Sequence, residues 1–213
     1  MTSAWPRFDL VVITDTSLAS RTHAEIARAA LEGGADAVQI RDKSVTAQNL
    51  GLAVAECHPL ARKYGAALIV NDRVDVALVC GADGVHVGQD DLPAAAARRM
   101  LPRPAVLGVS VSNLEEALKA ARDGADYLGV GPVFATPTKA DAGVPLGLEA
   151  LAALVRAAPL PIVAIGGIDH ENVAAVVRTG VAGVAVVSAV SGAADMAVAA
   201  RALKTRIREA RRT

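Results

Sequence analysis

Four times in this 213-residue chain a glycine-led turn runs straight into a short apolar segment: Gly34-Ala35-Asp36-Ala37-Val38, Gly81-Ala82-Asp83-Gly84-Val85, Gly124-Ala125-Asp126-Tyr127-Leu128 and Gly180-Val181-Ala182-Gly183-Val184. Their starts are 47, 43 and 56 residues apart. A glycine that closes a helix and feeds a buried strand, repeated at that interval, marks a unit of two strands and two helices used four times. Apolar runs bounded by turn residues give eight strands: Asp9–Thr14, Ala37–Ile40, Ala67–Val70, Gly84–Val87, Val106–Val109, Tyr127–Val130, Ile162–Ile165 and Gly183–Val187. Helix-period segments lie between them. In one, Asn113 and Glu116 form a capping box, Leu114, Ala117, Leu118 and Ala121 make the apolar stripe, and Gly124 supplies the stop. Eight units leave roughly 27 residues each, enough for a strand, a helix and two short loops. The expected fold is α/β, a single-domain (β/α)8 TIM barrel over residues 1–213. An open flavodoxin-like sheet alternates in the same way, but its five strands would not use up this chain.

Composition narrows the partners. Lys plus Arg (22) balances Asp plus Glu (22), so broad electrostatic binding to nucleic acid or to a membrane surface is not expected. The expected partners are small molecules, and self-association into a homo-oligomer is left open. With 53% hydrophobic but 2% aromatic residues, the core must be built from Ala, Val, Leu and Ile. Trp5-Pro6-Arg7 interrupts the region where a signal peptide needs a continuous apolar run, and no later run reaches a membrane span of about 18 residues, so a cytoplasmic location is expected. Cys57 and Cys80 read as reduced, packed thiols. The cations from Lys204 to Arg212 read as a solvated tail, favoured at a helix C-terminus by the helix dipole.

Polar residues gather where the apolar runs end, and in a parallel barrel those ends meet on one face. They include Gln39, Arg41, Lys43, Asn71, Asp72, Asp91, Ser110, Thr136, Thr138 and Lys139. Asp72 and Asp91 follow the third and fourth strands and are hard oxygen ligands suited to Mg²⁺, which keeps waters and bridges to phosphate. Each carboxylate alone reads equally well as a helix cap. Arg41 offers a fork for phosphate oxygens, with Lys43 and Lys139 as point charges; a solvated ion-pair cluster with Asp42 is the alternative. The amides of Gln39 and Asn71 suit the edge of a nitrogen heterocycle. Gly166-Gly167-Ile168 and Val187-Ser188, after the last two strands, fit a phosphate monoester. The longer stretch from Ala135 to Leu146 is the candidate flap. His86 reads as a buried, hydrogen-bonded residue, and His23, His58 and His170 as helix-surface or capping residues. No Ser-His-Asp or Cys-His arrangement can be argued.

Taken together, these elements resemble the thiamine phosphate synthase family along nearly the whole chain. The resemblance rests on Ile13-Thr14-Asp15, Gln39-x-Arg41-x-Lys43, Val70-Asn71-Asp72, Asp83-Gly84-Val85-His86-Val87-Gly88-Gln89-x-Asp91, Gly108-Val109-Ser110, Gly129-Val130-Gly131-Pro132-Val133-Phe134 with Thr136-x-Thr138-Lys139, and Ala164-Ile165-Gly166-Gly167-Ile168. It implies a transferase that joins 4-amino-5-hydroxymethyl-2-methylpyrimidine diphosphate to a thiazole phosphate, with Mg²⁺ as cofactor. It also implies that Gln39, Ile40, Arg41, Asp42, Lys43, Asn71, Ser110 and Lys139 hold the pyrimidine diphosphate, with Arg41, Lys43, Ser110 and Lys139 acting in catalysis. Thr136, Pro137, Thr138, Gly167, Val187 and Ser188 would hold the thiazole phosphate, and Asp72 and Asp91 the metal. In that family the diphosphate is thought to leave first, giving a pyrimidine-methyl cation. Asp42 stands where many members have Glu, and Val11-Val12 replaces an aromatic-aliphatic start. The related thiazole tautomerase carries its catalytic His near position 112, where this chain has Ser112. A non-catalytic barrel that binds thiamine precursors is the remaining alternative.

Overall fold

Short runs of Val, Ile and Leu suit a pleated surface covered on both faces, and here they form strands of four to six residues. The computed structural model describes residues 8–18, 20–136 and 143–212. Its strands are β1 (Leu10–Ile13), β2 (Ala37–Ile40), β3 (Ala67–Asn71), β4 (Gly84–Val87), β5 (Val106–Val111), β6 (Tyr127–Val130), β7 (Ile162–Ile165) and β8 (Gly183–Val186). All pair in parallel in sequence order, and β1 pairs with β8 to close the barrel. The helices are α1 (His23–Glu32), α2 (Ala47–Tyr64), α3 (Val74–Val79), α4 (Ala94–Met100), α5 (Leu114–Arg122), α6 (Gly147–Ala157), α7 (Val173–Arg178), α8 (Ser188–Ser191) and α9 (Met196–Ala210). The predicted bounds of β2, β4, β6 and β7 agree with the structure, whereas β5 runs on through Ser110 to Val111.

Alternation along each strand divides the core in two. One set, including Leu10, Val12, Val38, Ile40, Leu68 and Val70, packs outward with the helices. The other, Val11, Ile13, Ala37, Val106, Tyr127, Val163 and Ala185, fills the barrel interior. Gln39, Asn71, His86 and Ser110 share the parity of the interior set, so the same period that packs the barrel brings their side chains to its mouth.

The repeated Gly-Ala-Asp unit has a physical role at the opposite end. Asp36, Asp83 and Asp126 accept the backbone N–H groups of Leu10, Leu68 and Leu107 at 2.9, 2.8 and 2.8 Å, tying each even strand to the odd strand before it. Cations neutralise them: Lys204 on Asp36, Arg62 on Asp83, and Arg98 with Arg103 on Asp126. The fourth unit has Ala182 in place of the carboxylate, and there Arg211 donates to the carbonyls of Val181 and Ala182. The solvated-tail reading of Lys204 to Arg212 holds for Arg206, Arg208 and Arg212, which are exposed, and is corrected for Lys204 and Arg211. Lys204 is buried and 2.5 Å from Asp36, and Arg211 lies 2.9 Å from Asp9, because α9 packs between α1 and α7 and these two side chains reach the residues that precede β1 and β2.

The α5 stripe is also turned from its expected face. Ala117 and Ala120 are buried, while Leu114 and Leu118 are exposed. Asn113 accepts the N–H of Glu116 as expected of a cap, but Glu116 reaches back to the N–H of Ser112. Both cysteines are free; Cys57 is buried, which pushes its thiol up to about 12, and Cys80 ends α3. Among the described residues, no helix is long and apolar enough to cross a membrane.

Candidate active site

A cavity of about 460 Å³ opens at the carboxyl ends of the strands. Its wall includes Gln39, Arg41, Lys43, Asn71, Asp72, Asp91, Ser110, Thr136, Gly167, Val187 and Ser188. Eleven residues picked out along the sequence thus share one pocket. Ile40 and Asp42 do not line it. The reason is parity: they sit one residue out of step with Gln39 and Arg41, so Ile40 is buried in the outer core and Asp42 turns towards α1. Pro137, Thr138 and Lys139, with half of the expected flap, lie outside the described residues.

Asp72 and Asp91 face each other across adjacent loops. Asp72 has φ +62°, a left-handed backbone that a non-glycine residue adopts only when its surroundings hold it there. Burial raises its carboxyl pKa to about 6, helped by the hydrogen bond and charge of Asp91, while Lys43, with Nζ 3.5 Å away, opposes the rise. Asp91 Oδ2 accepts the N–H of Gly88 at 2.7 Å. Neither carboxylate caps a helix: the N-cap residues of α3 and α4 are Arg73 and Pro93, and neither helix has a side-chain cap. The geometry therefore answers the capping alternative. Two hard oxygen donors that face each other fit a divalent cation that keeps most of its waters; among the described residues no cluster of three His, Cys, Asp or Glu could hold a metal through side chains alone.

Beneath the mouth, His86 links two strands. Its Nδ1 is 2.8 Å from the Tyr127 hydroxyl and its Nε2 is 2.9 Å from Ser110 Oγ. Glycine makes room for the pair, since a Cβ at Gly108 would overlap the Tyr127 ring and one at Gly129 would press on His86. Gln89 adds a bond of 2.6 Å to the Ser110 carbonyl. His86 is half-buried and hydrogen-bonded within its strand, and it lines the cavity with Tyr127 and Gln89. Strand parity was the available signal for His86 and Tyr127; Gln89 lies on a loop, and its signal was its place in the Gly88-Gln89-x-Asp91 element.

Burial lowers the His86 pKa to about 4, so between the ordinary 6.5 and 4 an unfolded chain binds a proton that the folded one does not. Stability should fall as pH drops through that window, by roughly 3 kcal/mol at full effect. Urea midpoints from pH 7 to 4.5 check this: His86→Asn should flatten the slope by about one proton. An unchanged slope would mean that His86 is not buried neutral.

On the opposite wall Gly166 and Gly167 follow β7 with φ +99° and +66°. α8 begins at once after β8 with Ser188, the loop-and-short-helix arrangement that many barrels use for phosphate. A Cβ at Gly167 would meet Phe134 and the Ala135 carbonyl, the segment leading to Thr136. If this wall takes the thiazole phosphate, as the resemblance implies, Gly167→Val should weaken its binding more than that of the pyrimidine diphosphate, by displacing the wall as well as by blocking backbone N–H groups. Calorimetric titration of both ligands on folded variant checks it; equal losses would argue against two separate phosphate subsites.

The family model described as thiamine monophosphate synthase matches residues 10–190. The chain belongs to this family. It is 54% identical over 196 residues to the thiamine-phosphate synthase of Chloroflexus aurantiacus, covering 92% of this chain and 90% of the relative. It is 50% identical over 210 residues to that of Moorella thermoacetica, covering 97% and 99%. The solved thiamine phosphate pyrophosphorylase of Pyrococcus furiosus superposes with a TM-score of 0.90 at 44% identity, covering 96% of this chain and 98% of that one. Family membership accounts for the closed barrel and for the order of motifs around its mouth.

Proposed function

We propose that this member of the thiamine monophosphate synthase family joins a pyrimidinylmethyl diphosphate to a thiazole phosphate, giving thiamine phosphate and diphosphate. The C–O bond at the pyrimidine methylene breaks, a C–N bond to the thiazole nitrogen forms, and the C–O electron pair leaves with the diphosphate. The observation that carries this reading is the crowding of Asp72 against Asp91, with Lys43 beside them and Arg41 in the same cavity. Opposite charges at one rim suit a metal-bound polyphosphate and have little structural use otherwise.

Asp72 and Asp91 would hold Mg²⁺, which when bound supplies positive charge to the leaving diphosphate. Arg41 and Lys43 would clamp phosphate oxygens, with Lys139 as a third cation. Gln39 and Asn71 present donor and acceptor groups to the heterocycle edge, and Ser110, held by His86, fixes a third polar point. The wall of Gly167, Val187 and Ser188, with Thr136 to Thr138, would take the thiazole phosphate. Nothing in the set is arranged for covalent catalysis: Ser110 meets a His86 whose proton affinity is reduced by burial. A cytoplasmic location goes with these substrates.

Incubating the purified protein with both precursors and Mg²⁺ should yield thiamine phosphate and diphosphate, with activity lost on chelation. Absence of product, together with isomerisation of a thiazole carboxylate phosphate, would transfer the assignment to the tautomerase. Ser112 speaks against that rival, since the position carries no imidazole and its N–H is bound to Glu116.

A further inference from the structure

Asp42 lies between Arg41 and Lys43, the two cations that β2 delivers to the cavity. A carboxylate so placed has an obvious alternative partner, and pairing with either cation would cancel the charge that a diphosphate needs. The structure holds it elsewhere. Asp42 Oδ1 accepts the Ser44 N–H and hydroxyl at 2.9 and 2.7 Å, and Oδ2 faces His23 Nε2 at 3.6 Å. His23 is the first residue of α1, and its side chain is 11% exposed, so it is neither the helix-surface nor the capping residue expected from sequence; Thr22 is the cap. Its other nitrogen, Nδ1, lies 2.7 Å from the hydroxyl of Thr14, which is fully buried at the end of β1. That hydroxyl accepts the Arg41 N–H at 3.3 Å and lies 3.4 Å from the Gln39 carbonyl. None of Thr14, His23 and Asp42 lines the cavity.

We infer that His23 is a positioning residue that keeps the Asp42 carboxylate away from Arg41 and Lys43 and, through Thr14, fixes the strand end that presents them to the diphosphate. This rests on the functional reading above. The linkage holds in both protonation states. With neutral imidazole, Thr14 donates to Nδ1 and Nε2–H faces Asp42; with the cation, Nδ1–H donates to Thr14, whose proton turns to Gln39. Burial lowers the His23 pKa, and Asp42, Asp15 and Glu56 oppose the shift, so no switch at neutral pH is invoked. Alternation at the strand end brings Asp42 to the outer side, and beyond the last residue of β2 it is the partner on the neighbouring helix that keeps the carboxylate there.

Steady-state kinetics with each substrate varied in turn, on the intact Mg²⁺-loaded protein, test the inference. His23→Ala should raise KM for the pyrimidine diphosphate about tenfold while leaving KM for the thiazole phosphate within about twofold, as expected for one misdirected charge interaction. His23→Asn, whose amide can still meet Thr14, should recover part of the loss and serves if the alanine variant folds poorly. Adding Asp42→Ala to His23→Ala should also recover affinity, because the competing carboxylate is gone. Unchanged KM values in His23→Ala, equal rises for both substrates, or a double variant worse than His23→Ala would overturn the assignment. Wild-type protein inactive with both precursors would instead overturn the functional reading, and this role with it.

Discussion

Asp91→Asn is expected to lower turnover by about a hundredfold or more, equivalent to roughly 3 kcal/mol of lost leaving-group stabilisation. The variant replaces one of two anionic oxygen donors with a neutral amide. Its fold should survive, because an amide oxygen can still accept the Gly88 N–H that Asp91 binds at 2.7 Å. A second readout separates metal binding from general damage. In the wild type the folded pKa of Asp72 lies at about 6, above the ordinary 3.8, so without metal its ionisation opposes folding as pH rises through 6. A cation bound there must displace that proton. Mg²⁺ should therefore raise the thermal midpoint more at pH 7.5 than at pH 5, and this difference should vanish in Asp91→Asn. A variant with near wild-type turnover and the same magnesium dependence would mean that Asp91 only braces its loop.

The barrel is legible in the sequence because it is built from one repeated physical unit. Each helix needs a stop, each buried strand needs an apolar run, and glycine followed by a carboxylate marks the join. The same chain shows where such reading ends. The repeated aspartates advertise the turn but not their bonds to Leu10, Leu68 and Leu107, which depend on how neighbouring strands register. Lys204 looks like any cation on a polar helix until α9 is folded against β1.

At the mouth, residue type finds Asp72, Asp91, Arg41 and Lys43, while strand parity decides direction. Applied strictly, parity separates Gln39 and Arg41 from Ile40 and Asp42, a division that motif resemblance over Gln39 to Lys43 conceals. His86 and Tyr127 are harder to read because both are apolar-compatible residues inside strands. Their bearing on the site appears only when three neighbouring strands bring Tyr127, His86 and Ser110 into one chain of hydrogen bonds.

Electron-withdrawing groups at the pyrimidine 2-position are expected to slow the chemical step steeply in single-turnover experiments, with binding little changed. The expectation follows from what the cavity can stabilise. Arg41 and Lys43 line it beside Asp72, Asp90 and Asp91, and its remaining polar side chains are amides, hydroxyls and a largely neutral His86. Such a set favours negative charge collecting on departing diphosphate and offers no protein nucleophile to share the displacement. It lowers the barrier most when charge separation in the transition state is greatest, which requires cleavage at the methylene to run ahead of attack by the thiazole nitrogen. The developing cation then draws electrons from the pyrimidine ring, and substituents that withdraw them raise the barrier. Direct displacement would build little positive charge on the ring, so a flat or accelerating response would show that the thiazole nitrogen drives the step. Arg41, Lys43 and the paired carboxylates would then be left with binding and alignment, and the hundredfold loss expected of Asp91→Asn would have to arise from misplaced substrate instead.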